Sequence, residues 1–279
     1  MRIPRKCATL AVALALAALP AVAAEATFVR TLTVNGPVEL TVSTGAGSIH
    51  ITQGPAGSIQ IFGRVHNFWG GDASLVQQIA NRPPIEQTGG IVRIGQNQRP
   101  FHNIAIDYEI QAPANAFLDA STGAGSLFDD GVGQNVRLHS GSGTIHANGL
   151  TGSFSLETGS GSIFASQSGE GDVRAQTGSG SIQLQSIHGG LHAQSGAGSI
   201  RVAGTPDAPW HIETGAGSID FATGGASLDI DAESGFGSIR CDRSLSMKQS
   251  EDHHHLVGKL GGGGPVVRLE SGAGSIHIN

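Results

Sequence analysis

The chain has 279 residues, 43 of them glycine, with 5% aromatic and 14% charged residues and a formal net charge of −6. Glycine at about twice its usual share disfavours a helical bundle, because each helix-interior glycine costs about 1 kcal/mol relative to alanine. With 11 prolines and no G-x-y period collagen is excluded, and the acidic balance argues against nucleic acid or an anionic membrane as partner.

Residues 1–24 have the form of a secretory signal peptide. Arg2, Arg5 and Lys6 precede a short apolar run over 8–19, and 20–24 end in small residues. The run is too short to span a bilayer. Cleavage is expected after Ala23 or Ala24, with a periplasmic or extracellular destination. Loss of the leader makes the chain more negative by three charges and leaves Cys241 as its one cysteine, so no intramolecular disulfide can form.

Residues 25–116 are expected to hold a first coil and an N-terminal cap, and 117–279 the regular repeats, as one continuous domain. In the first coil, Leu40 and Val42 alternate with polar residues before a glycine-containing string at Thr44, and Ile49 and Ile51 follow it. Residues 62–116 interrupt the pattern. Leu75, Val76 and Ile79 predict one amphipathic helix over 73–81, stopped by Pro83 and Pro84, and strands are predicted over 91–94 and 104–110.

The string [ST]-G-x-G-[ST]-[IL] begins at Thr44, Thr122, Ser140, Thr158, Thr177, Ser195, Thr214, Ser234 and Ser271. From Thr122 to Ser234 the spacing is 18 to 20 residues. Apolar residues stand four and two positions before every string (Val173 and Ala175, Leu191 and Ala193, Trp210 and Ile212), with polar residues between them. This is a strand with one buried face. The paired glycines, among them Gly159, Gly161, Gly178, Gly180, Gly196, Gly198, Gly215 and Gly217, allow a tight corner. A second strand follows, with Ile145, Ile163, Ile182, Ile200 and Ile219 facing inward. Asp129 breaks the next inward column, between Ile51 and Ala147.

One strand–corner–strand unit cannot bury its own apolar face, but stacked units can, at about 4.8 Å per step. The predicted fold is therefore all-β: a parallel β-solenoid, a single-stranded β-helix of 18–20 residues per coil with right-handed winding, plus the N-terminal cap with its one short helix. The corner hydroxyls are expected to bond neighbouring corners. Between Ser234 and Ser271 one corner is replaced; 250–255, with three consecutive histidines, is expected to project as a loop, and 261–264 to form a tight turn. A strand running to Asn279 is expected to leave an open edge for end-to-end pairing with another copy.

The repeated T-G-S-G-S-I strings, the Tyr108-Glu-Ile-Gln-Ala-Pro113 segment and the closing stretch from His255 to Pro265 and on to Ile278 together resemble the bacterial putative-adhesin family of β-strand repeat proteins of unknown function. The resemblance spans about residues 28–279. It implies an exported β-solenoid and brings no catalytic residues with it. The family often has Asp after the second corner glycine, where this chain has Ser or Thr throughout.

Chemical motifs are few. There is no G-x-x-x-x-G-K-[ST], no H-E-x-x-H and no G-x-S-x-G. His192 and His211 fall in one outward column on adjacent coils, where two imidazoles with a third ligand could hold zinc or copper. Phe128, His146 and Phe164 form an outward aromatic strip, suited either to stacking on sugar rings or to strengthening the sheet. Glu213, Asp220, Asp231 and Glu233 cluster, and Glu213 with Glu233 could meet the carboxylate spacing of a glycosidase. Arg201, Asp220 and Arg240 suggest a charge ladder, and Cys241 a buried, unreactive thiol. The corners are too short to build a cleft, so the expectation is a non-catalytic adhesive or envelope structural module without a cofactor, its partner a surface glycan or an envelope protein. The alternative is a carbohydrate-binding or polysaccharide-cleaving β-helix.

Overall fold

Two glycines per corner are explained by how closely the coils stack. In a computed structural model, which describes residues 24–68, 72–95, 103–251 and 253–279, Gly180 has φ +145°, and a Cβ there would lie 2.1 Å from the Gly161 carbonyl oxygen of the coil below. A Cβ on Gly178 would lie 2.6 Å from the Gly159 oxygen. No side chain fits either gap. In every string after the first, the opening hydroxyl points inward and donates to the second corner glycine of the adjacent coil: Thr177 Oγ1 to Gly161 O at 2.8 Å, Ser195 Oγ to Gly180 O at 2.9 Å, and Thr214 Oγ1 to Gly198 O at 2.8 Å; Thr44 donates instead to Ala46 O and Ile106 O. These buried hydroxyls thus consolidate the corners, each bond contributing about 1 kcal/mol.

Among the described residues, the nine strands before the corners and four others build a back sheet of 13 strands, and the nine after the corners and three others a front sheet of 12. Pairing through the repeats is parallel, and in register apart from irregularities after Ala147 and Leu184. Val173 faces Leu191 and Leu191 faces Trp210 in the back sheet, while Ile182, Ile200 and Ile219 align in the front. The inward columns are almost fully buried and meet in one continuous core.

The order of coils at both ends differs from the order in the chain. Strands Ile91–Ile94 and Ile104–Ala112 pair in parallel with Glu39–Ala46 and Ile49–Gln53, so the stretch that interrupts the repeat supplies an extra coil outside the first one. The antiparallel strands Ser58–Asn67 and Glu25–Thr33 extend the front sheet beyond it. The helix Ala73–Asn81 packs over these two strands with Val76, Ile79 and Ala80 buried, and its N-cap Asp72 accepts from the Ser74 amide at 2.8 Å. At the far end, Val266–Ala273 and Ile276–Ile278 insert between the coil of Trp210–Ala216 and that of Leu228–Phe236.

Several expectations are corrected by this arrangement. Asn279 follows no open edge: Ile276–Ile278 pairs on both sides, the Asn279 amide donates to Phe221 O, and Thr223 Oγ1 donates to Asn279 O. Much of the stretch expected to project is strand: Leu245–Glu251 and His255–Leu260 form an antiparallel hairpin beside Leu228–Phe236. Residues 261–264 make the expected turn, and Gly263 N donates to Leu260 O. Cys241 is half-buried, because Ile239–Cys241 is the terminal strand of the front sheet and only one side of it is covered. The expected leader, apart from Ala24, lies outside the described residues.

Candidate functional site

Alternation places every second residue of the front sheet outward, and the register strings these residues into columns. His50, Phe128, His146 and Phe164 stand on four consecutive strands. Phe128 and His146 stack at 5.1 Å with planes 2° apart, and His146 and Phe164 at 4.9 Å with planes 10° apart. His50 meets Phe128 edge-on at 5.7 Å. The rings therefore turn their faces to each other and their edges to solvent. This geometry strengthens the sheet; a sugar would need a free ring face. The column continues through Gln183, Arg201 and Asp220 to His277, which lies between Asp220 and Arg240. Arg201 pairs with Asp220 at 2.9 Å, whereas Arg240 pairs with Asp242 at 2.7 Å. His277 Nε2 lies 2.8 Å from Asp242, and these two partners hold the Asp242 carboxyl below its ordinary range.

On the back sheet His192 and His211 are brought together as expected. Their rings stack at 5.4 Å, 17° from parallel. The nitrogen lone pairs lie in the ring planes, so they run side by side and do not converge on one point. Partial burial, together with the charges of Arg174 and His211, lowers the His192 pKa. Among the described residues no group of three or more His, Cys, Asp or Glu is placed to hold a metal ion. In the neighbouring column Gln176 donates to Gln194 at 3.1 Å and Gln194 to Glu213 at 3.3 Å. The inserted coil places Glu270 between Glu213 and Glu233. Glu213 and Glu233 thus stand two strands apart, with a third carboxylate where a substrate bond would sit. Asp231 binds Arg268 at 3.1 Å and His255 at 3.4 Å, away from Asp220 on the other sheet.

A further feature answers to no sequence motif. Where the antiparallel strands join the front sheet, a depression of about 250 Å³ opens beside His50. Its outward side chains are Thr52, Gln60, Phe62, Glu109 and Gln111, with Val29 at the rim. Alternation within each segment marks these residues as outward, but they come from four separate segments whose adjacency no local pattern encodes.

Two groups inside the solenoid are polar without full pairing. Asp129 is 1% exposed; its Oδ1 accepts from the Val132 amide at 3.2 Å and its Oδ2 has no partner. Burial pushes its pKa up to about 8. The Tyr108 hydroxyl is likewise buried without a partner, and burial raises its pKa. The Cys241 thiol donates to Arg243 O at 3.4 Å, and burial pushes its pKa upward.

Fold and faces together define a parallel β-solenoid with two mostly polar sheet surfaces. The chain belongs to the Toastrack DUF4097 family, whose sequence profile matches residues 102–279. It is similar to the crystal structure of a putative cell adhesion protein from Clostridium sporogenes, at 12% identity over 91% of this chain and 98% of that one, with a TM-score of 0.28. A putative adhesin from Bacteroides fragilis is 14% identical over 91% and 97% of the two chains, with a TM-score of 0.35. Another from Parabacteroides distasonis is 11% identical over 91% and 97%, with a TM-score of 0.33. No curated protein matches the chain.

Proposed function

We propose that the protein is an exported, non-catalytic module that presents its sheet faces to a partner at the cell envelope or outside the cell, in the manner of an adhesin. The observation that carries this reading is the rigid, in-register display of outward side chains on two sheets joined by minimal corners. Such faces suit recognition by a surface. Catalysis on sugars needs a water-excluding cleft and a suitably spaced carboxylate pair, and the Glu213–Glu270–Glu233 column has neither loops around it nor room between its members.

The leader-like residues 1–24 support export. The test uses the full chain expressed in a bacterial host. Processing to a product starting at Ala24 or Glu25, followed by retention of cells on glycan- or protein-coated surfaces, is the expected result. Cytoplasmic retention of the unprocessed chain would overturn export, and release of reducing sugars from polysaccharide would overturn the non-catalytic reading.

A further inference from the structure

We propose that the depression on the front sheet beside His50 is a binding site for a neutral pyranose, taken as one unit of a glycan. The inference rests on the reading of the protein as a binding module and names a ligand class for it.

Phe62 is half-buried in the lining of the depression and, unlike Phe128, His146 and Phe164, engages no other ring among the described residues. The part of it left exposed is apolar surface that the C–H groups of a sugar can contact. Around it, the side chains of Thr52, Gln60, Glu109 and Gln111 have no hydrogen-bond or ion-pair partner among the described residues. Elsewhere many outward polar groups are already paired, as in Arg201–Asp220, Gln176–Gln194 and Arg268–Asp231.

The unengaged set has a definite chemistry. Two carboxamides each donate and accept, a hydroxyl does both, and a carboxylate only accepts. A ligand that satisfies them must carry several groups able to donate and accept, arranged round an apolar face. A pyranose has this construction. The charge pattern selects further: Glu109 would repel an anionic sugar, and His50, the one basic group in the lining, already faces Asp130 at 3.6 Å. A volume of about 250 Å³ is below that of pockets for drug-sized ligands and suits a single ring. Such an open site predicts a Kd of about 1 mM for a monosaccharide, with useful strength reached through several sites on one surface.

The experiment is an NMR titration of the chain with the methyl glycosides of glucose, galactose, mannose and N-acetylglucosamine, with methyl glucuronide as the anionic comparison. Saturable shifts of the Gln60 and Gln111 side-chain amides with at least one neutral glycoside are expected. Phe62→Ala and the isosteric Glu109→Gln should each weaken binding about tenfold, and Phe164→Ala should leave it unchanged. The amide spectrum reports whether each variant is folded, and Glu109→Gln keeps the test decisive should Phe62→Ala unfold. No saturable shift with any neutral glycoside, an equal response to glucuronide, or binding lost in Phe164→Ala and kept in Glu109→Gln would each overturn the proposal. Cells that still adhere with the Glu109→Gln protein would separate this failure from failure of the adhesive reading.

Discussion

A single carboxyl, Asp129, sits where the inward column otherwise carries Ile51 and Ala147. Its position fits the turn that follows, since Oδ1 holds the Val132 amide. Burial raises its pKa from 3.8 to about 8, so between those values the folded state keeps a proton that the unfolded state releases. Stability therefore falls as pH rises from about 4 to about 8, then levels off. Asp129→Asn should remove this slope: the variant and the parent should be similar at pH 4, and the variant more stable by about 2–5 kcal/mol at pH 8. Urea denaturation across that range measures it, and equal slopes in the two proteins would refute it. The sequence flags Asp129 as out of place, but not the reason, because its partner amide lies in an irregular turn. Corner residues are more legible. Gly180→Ala, with its Cβ directed into the Gly161 carbonyl, should cost about 3 kcal/mol or more. Thr177→Val, which removes one buried hydrogen bond at nearly constant shape, should cost about 1 kcal/mol. Thermal melts of the two variants side by side would show whether the steric term exceeds the hydroxyl term.

At the scale of strands and coils, the alternation and the corner strings were enough to place each regular strand and its inward face. They were not enough to order the coils. Every coil presents the same corner, the same hydroxyl and similar apolar columns, so the period says that a coil stacks on a neighbour without saying on which. The long segments at each end decide this: 54–116 returns to lay one coil outside the first, and 242–265 folds into the hairpin and leads the last repeat inside the stack. Ser271 donates to Gly217 O at 2.9 Å and Ser234 to Gly274 O at 2.8 Å, so the corner bonds run through the inserted coil. Deleting 266–279 should therefore expose both of its neighbours. In hydrogen exchange, protection should be lost over 228–260 as well as weakened over 210–222. A coil at the outer end of the stack would give a different result, with 228–241 still protected after the deletion.

At the scale of the whole molecule, a stack of identical coils has two ends, and each end is a set of strand edges able to pair with another copy. The front sheet ends on one side in Ile239–Cys241, three residues long, and on the other in Glu25–Thr33, nine residues long. A three-residue edge offers little to a partner strand. The long edge carries a charge: Arg30 donates to its own Val29 carbonyl at 2.8 Å and to Asn81 O at 3.3 Å, where the helix ends. A partner strand would have to displace and desolvate that guanidinium. The back sheet ends in Ile85–Thr88, only four residues, and in the hairpin strand Leu245–Glu251. The edge expected after Asn279 is therefore absent, and the edges that close the front sheet are guarded, by brevity at one and by a cation at the other. The purified chain beginning at Ala24 should be monomeric by light scattering at high concentration. Arg30→Ala should shift it toward a concentration-dependent dimer while leaving its circular dichroism unchanged. A parent protein that already dimerises with its Arg30 in place would show that the edge is open, and that this guanidinium does not guard it.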